Sequence, residues 1–350
     1  MKDIFELATM GTADVTVLTP KVISATIEEI RRSKRVFAQF YKTNRDLVNT
    51  GGTEISFPKK KAGVVVSTNL SPGQGISASN ISYDATTIKI AKHGVGIAIQ
   101  GEAIRQVKRD IIADNIKEAG EAYADAMDTL ALEAMFPTVT VKPTGASTIA
   151  ASFPVIGIKS VADATKFTGI INYASSSSII VTGPNTITYW YVPSTAGARR
   201  VTTTEGSLSA KDIWQLRADI ISQKFDPDVL IINQRRLAEL FYDPAAKFLE
   251  AYAYRGAGPL LNGEIGQLFG LKVIVTDHCP IYGAIAIDSD ELGYHIVRKG
   301  LELKRDEYTG ASMDVLYWWG FAEENYGVVN EKAYGAVAIK GTLTEVNATK

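Results

Sequence analysis

Asp277-His278-Cys279 places a carboxylate, an imidazole and a thiol in succession, the ingredients of a base-activated nucleophile. On a strand, neighbouring side chains point to opposite faces, so His278 and Cys279 diverge, and Pro280 ends the strand. The ordinary role for such a cysteine is a small apolar residue at a strand end. Gly73-x-Gly75-x-x-Ala78 has the spacing of a dinucleotide fingerprint but lacks the helix and the acidic residue that should follow. A turn through Ser71-Pro72-Gly73-Gln74-Gly75 is the simpler reading. Asp288-Ser289-Asp290-Glu291-Leu292-Gly293 resembles the start of a calcium loop, yet Leu292 and Lys299 stand where ligands are required. No phosphate-binding loop or nucleophile elbow occurs. His93, His278 and His295 are scattered, and no Cys/His spacing suits zinc. Trp318-Trp319 fits core and interface packing better than a platform for bases. The sequence therefore predicts no catalytic, cofactor-binding or metal-ligating residues.

The composition narrows the class further. The 350 residues are about two or three domains' worth. Lys+Arg number 37 and Asp+Glu 38, a net charge of -1, and apolar residues make up 46%, ordinary for a globular protein. One cysteine cannot form an internal disulfide. No apolar run approaches the ~18 residues of a membrane-spanning helix, and MKDIFELATMGTAD has no apolar core of a signal peptide. Near-zero net charge argues against an electrostatic coat on nucleic acid. The charge is uneven: +5 over residues 1–100, -4 over 101–136, +3 over 137–210 and -5 over 211–350. Opposite signs suit a chain that touches its own copies, and equally a solvated, mixed surface.

Residues 1–18 read as a loose arm. Thr19-Pro20 caps a helix with Val22, Ile23, Ile27 and Ile30 at helical spacing. Arg31, Arg32, Lys34 and Arg35 suit its C-terminal dipole, or else face nucleic acid or an acidic neighbouring subunit. Between 51 and 100, a strand Thr53–Phe57 is interrupted by Pro58 and Lys59-Lys60-Lys61. Strands Gly63–Thr68, Ile81–Ala91 and Val95–Ile99 follow. A hairpin with so thin an apolar face is marginal alone in water and needs something else to lie on. Residues 101–136 read as a rod ~54 Å long if helical throughout, with Ile104, Val107, Ile111, Ala119, Tyr123, Ala126, Leu130 and Ala134 along its stripe and Ile116 beside it. A coiled coil is the competing reading.

Residues 137–207 form a β-rich insertion, with strands Thr138–Val141, Ser178–Val181 and Thr186–Val192. Ser209-x-x-Asp212 is a capping box ahead of Ile213, Leu216 and Ile220. Val229–Ile232 is a buried strand, and Asn233 caps a helix through Tyr242. A helical stretch near 245–255 follows. Strands Leu271–Thr276, Ala284–Asp288, Leu301–Arg305, Val315–Phe321 and Ala333–Ile339 complete an α+β fold.

That succession resembles the major capsid protein of tailed double-stranded DNA viruses, the Hong Kong 97-type fold. The resemblance is carried by "DVLIINQRRLAELFYDP", "GEIGQLFGLKVIVTDHCP" and "LELKRDEYTGASMDVLYWWGFAEENYGVVNEKAYGAVAIKG". It implies an N-terminal arm and helix (1–50), an extended β-hairpin loop (51–100), the spine helix of a peripheral domain (101–136), the β-rich insertion (137–207), an axial domain (208–300) and closing peripheral-domain strands (301–350). It further implies hexamers and pentamers closing an icosahedral shell around packaged DNA, which a motor pumps in and the shell contacts non-specifically. Portal and scaffolding proteins, and a decoration protein, are the implied partners. Scaffolding would come from a separate protein or from a processed segment. The implied location is the virion, after synthesis and assembly in the host cytoplasm, with no membrane, cofactor or enzymatic activity. Arg31, Arg35, Lys59, Lys60, Lys61, Pro72, Gly73 and Gly75 are the implied subunit-interface residues of arm and loop. Some members cross-link a loop lysine to a neighbour's asparagine; here no partner Asn or activating Glu is identifiable. An encapsulin compartment on the same fold, a tail-tube or baseplate protein, and third an unrelated enzyme with Asp277-His278-Cys279 as its best candidate, are the alternatives.

Overall fold

The computed structural model describes residues 36–60, 81–100, 111–141, 147–150, 154–161, 168–172, 178–182, 186–202, 206–243, 248–249, 264–306 and 315–339. After a short 3-10 turn, Ala38–Phe40, come β1 (Lys42–Asn44), β2 (Glu54–Lys60), β3 (Tyr83–Lys89) and β4 (Ala91–Gln100). Helix α1 (Ile111–Met135) leads to β5 (Thr138–Val141), β6 (Ser147–Ala150), β7 (Val155–Val161), β8 (Thr168–Asn172), β9 (Ser178–Thr182), β10 (Ile187–Tyr191) and β11 (Ala198–Val201). Then come α2 (Ala210–Ser222), β12 (Val229–Ile232), α3 (Gln234–Tyr242), β13 (Phe248–Leu249), β14 (Glu264–Leu268), β15 (Leu271–Val275) and β16 (Gly283–Ile287). Two 14-residue strands, β17 (Gly293–Asp306) and β18 (Val315–Val328), precede β19 (Tyr334–Ala338). The chain divides into two compact units, with boundaries at 42/43, 119/120, 294/295 and 329/330.

The first unit holds a sheet of order β1-β17-β18-β4 and the ribbon β2-β3. β18 and β4 pair antiparallel from Val315↔Gln100 to Glu324↔Ala91. One face of the sheet is apolar, with Leu301, Leu303, Trp318 and Ala322 buried. It also encloses a hydrogen-bonded pair: His295 Nε2 lies 2.8 Å from Glu324 Oε2, and the His295 ring stacks on Tyr326 at 4.3 Å. Both partners are buried, and a buried carboxylate is tolerated only with such a partner.

The second unit is built on a seven-stranded mixed sheet, β11-β19-β16-β12-β15-β14-β13. Every residue of β12, β16 and β19 is buried, which requires cover on both faces. One cover is α2 and α3: Ile213, Leu216, Ile220, Leu237 and Leu240 pack on Leu230, Ile232, Val273, Ala286 and Val337. The expected capping box forms at Ser209 and Asp212, and Asn233 accepts from the Arg235 amide. A strand near 248–249 replaces part of the expected helix at 245–255, since Phe248 and Leu249 pair with Leu268 and Gln267; the other residues of that stretch lie outside the described set. Phe269 (φ 52°) and Gly270 (φ 81°) make the two-residue turn joining β14 to β15, where only positive φ matches the strand twist. The insertion contributes sheets β5-β10-β7 and β6-β9-β8, while its last strand, β11, joins β19 in parallel.

Helix α1 buries Ile112, Ile116, Ala119, Tyr123, Met127, Ala131 and Met135. The stripe is thus rotated by one residue in its C-terminal half: Ala126 is exposed and Leu130 and Ala134 half-buried. The chain itself covers the stripe, so no coiled-coil partner is needed. Asp128 lies within this buried face. Its Oδ1 accepts three successive amides, from Val36 (2.9 Å), Phe37 (2.6 Å) and Ala38 (3.2 Å), and Tyr41 donates to the Ala131 carbonyl at 2.8 Å. Burial raises the Asp128 carboxyl above its ordinary range, opposed by the amides and by His278. No described helix is long and apolar enough to cross a membrane. Replacing Asp128 by Ala leaves these donors without an acceptor, and should lower stability by about 3 kcal/mol in chemical denaturation of the purified chain.

Candidate assembly interface

Lys59 and Lys60 lie at the far end of β2, opposite Asp84 and Tyr83. The strand runs through Pro58 rather than stopping there, because a two-stranded ribbon has edge positions where a missing N–H costs nothing. The ribbon is held by its ladder, by the Ser56–Thr87 hydroxyl pair at 2.9 Å and by Lys89 and Glu54 at 3.9 Å. Its side chains are mostly open. Of β2 and β3 only Ile88 is buried, packed so closely on Gly327 that a Cβ there would lie 2.4 Å from it. Tyr83 is 68% exposed. Lys60 is exposed and Lys59 half-buried, and among the described residues neither makes an ion pair. Arg31, Arg35, Lys61, Pro72, Gly73 and Gly75 lie outside the described residues.

Two other surfaces are open, one of them at the Trp318-Trp319 pair noted in the sequence. Trp318 and Trp319 point to opposite faces of β18: the first is buried and the second 40% exposed. Tyr317, Trp319 and Phe321 therefore form a row on the outer face. Tyr317 stacks on Trp319 at 5.7 Å, and Lys92 lies 4.7 Å from the Phe321 ring centre. Trp319 rests on Gly96, where a Cβ would come within 2.8 Å of the ring. In the second unit, Trp214 and Ile221 are exposed on α2, and Trp214 meets Phe269 edge-on at 5.5 Å. The exposed face of α1 is acidic, with Glu118 and Asp125 open and Glu121 half-open.

The residues with apparent chemistry have structural roles. The Cys279 thiol is buried and donates to the Ile231 carbonyl at 3.6 Å; burial pushes it well up, so it stays protonated and unreactive. His278 instead faces α1, with Nδ1 3.6 Å from Asp128 and Nε2 3.7 Å from Asp125. Asp288 accepts the amides of Asp226 and Asp290, and Asp228 accepts the amide and hydroxyl of Ser289. These acids close the loops around them. Among the described residues, no group of three such side chains could hold a metal ion.

No protein-family model and no curated protein matches the sequence. Solved structures do match in fold. The capsid of the cyanophage P-SCSP1u is similar at a TM-score of 0.55 and 13% identity, over 88% of this chain and 89% of that one. The capsid of a native GTA particle is similar at 0.54 and 12%, over 87% and 91%. A structure from Mycobacterium phage Ogopogo is similar at 0.54 and 14%, over 88% and 92%. The α+β fold expected from the sequence, that of tailed-phage capsid proteins, is thus the fold of this chain.

Cys279 is the only thiol, so an aromatic disulfide reagent should find none to react with in the native chain at mildly alkaline pH, and one per chain after denaturation. A full-rate reaction in the native chain would contradict its burial.

Proposed function

We propose that this chain is the major capsid protein of a tailed double-stranded DNA virus. Its copies assemble into hexamers and pentamers that close an icosahedral shell around packaged DNA. The observation that carries this reading is the β2-β3 ribbon, a 7-residue pairing that buries one side chain. Such a ribbon gains stability when a neighbouring copy covers it, so that ordering and assembly are coupled. The match in fold to phage capsids over nearly the whole chain supports the same reading.

In this reading the arm and the loop are the interface. Lys59, Lys60 and Lys61, with Arg31 and Arg35 from the arm and the turn at Pro72, Gly73 and Gly75, meet neighbouring subunits. The acidic face of α1, at Glu118 and Asp125, is the complementary surface on the next copy. Each contact can be weak, because many act together in a closed shell. The partners are other copies, a portal, scaffolding and decoration proteins, and DNA contacted without sequence preference. The chain resides in the virion after assembly in the host cytoplasm.

Electron microscopy of the purified chain tests this: closed shells support it, and open tubes or rings replace it with a tail assembly. Shells carrying an enzyme cargo instead of DNA would favour a cellular compartment. Deleting residues 69–79 should leave a folded subunit that fails to form shells. The double variant Lys59→Glu/Lys60→Glu should weaken assembly at low salt more than at high salt, measured by light scattering. Normal shells from both variants would count against the loop as interface.

A further inference from the structure

Shell formation does not account for the surroundings of Asp128. Its Oδ1 is taken by three amides, while its Oδ2 is buried and has no hydrogen-bond partner. A buried acceptor left unmade is costly, and more so when it carries charge. The imidazole of His278 lies between Asp128 Oδ2 at 3.6 Å and Asp125 Oδ1 at 3.7 Å. The two acids, three residues apart, share one side of α1. A neutral imidazole has one N–H, so one of the carboxylates then faces a bare ring nitrogen. An imidazolium has two, one aimed at each carboxylate.

The ring lies in a half-open cleft of about 410 Å³. The other titratable groups lining it are Asp277 and Cys279 on the same loop, Tyr282 beyond them, and Lys159 from β7. Lys159 is paired with Glu133, and Cys279 is a protonated thiol bonded to a carbonyl. No second free cation among the described residues lines this cleft. The His278 side chain is 36% exposed, so water can deliver and remove its proton.

We infer that His278 is a proton-operated latch: as an imidazolium it bridges Asp125 and Asp128 and tightens the grip of Asp128 on the amides of residues 36–38. The bridge gives Asp128 Oδ2 the donor it lacks, as a charge-assisted bond in a region of low dielectric. Acidification that protonates the imidazole therefore strengthens the attachment of segment 36–41 to α1. This is a property of one subunit and does not depend on the shell reading.

Hydrogen exchange read by mass spectrometry on the full chain tests it, with rates normalised to intrinsic exchange at about pH 8 and pH 5.5. Protection of residues 36–41 should rise about tenfold at the lower pH, the size of one charge-assisted hydrogen bond. His278→Gln should abolish the rise, and His278→Lys, a permanent cation, should hold the protection high at both pH values. An equal rise in His278→Gln would assign the titration to Asp128 itself and overturn the proposal. A flat wild-type response would overturn it too, and needs no variant to fold.

Discussion

A β-ribbon two strands wide can satisfy its backbone but cannot bury both of its faces. The second unit shows the opposite condition. Three strands of its sheet are buried throughout, and helices α2 and α3 cover one face. Fully burying a leucine- or isoleucine-sized side chain contributes about 1.5–3 kcal/mol. The seven-stranded sheet collects that many times, whereas the ribbon collects it at Ile88 alone. Stability within one copy is therefore concentrated where strands have a second layer. Ile55 and Phe57 on the ribbon are only half-covered, and Tyr83 is open.

Both units also bury carboxylates, and the two solutions differ. In the first, Glu324 meets an imidazole directly at 2.8 Å under a stacked tyrosine ring. In the second, Asp128 meets backbone amides and keeps its imidazole at a longer distance. The first arrangement is buried; the second opens on a cleft. The same pair of residue types can thus serve as fixed packing in one place and as an adjustable contact in another.

Much of the fold was legible in local chemistry. Ser209 and Asp212 formed the expected box, Asn233 the expected cap, and the apolar run at 229–232 the expected buried strand. What escaped depended on distant partners. β17 and β18 extend well beyond the apolar cores at 301–305 and 315–321, because Arg298, Lys299 and Glu323 lie on surfaces where charge is tolerated once a sheet supplies the hydrogen bonds. The parallel pairing of β19 with β11 joins segments more than a hundred residues apart, and no local signal records it. Of the residues expected at an interface, Lys59 and Lys60 lie on the ribbon, where Pro58 is a strand residue. Asp128 was missed, although a signal existed. It falls four residues after Ala124 and three before Ala131, on the apolar side of the helix, where an acid has to have a partner.

The row of rings on β18 bears on how this sequence can drift. Trp319 occupies the space that a side chain at position 96 would need. A larger residue at 96 is thus incompatible with the present rotamer of the ring, and a smaller one at 319 uncovers the glycine backbone. Each substitution alone is a step down, while the pair together is a rearrangement the sheet can absorb. The two positions form an epistatic couple across neighbouring strands, and the order in which lineages cross it is constrained by shape alone.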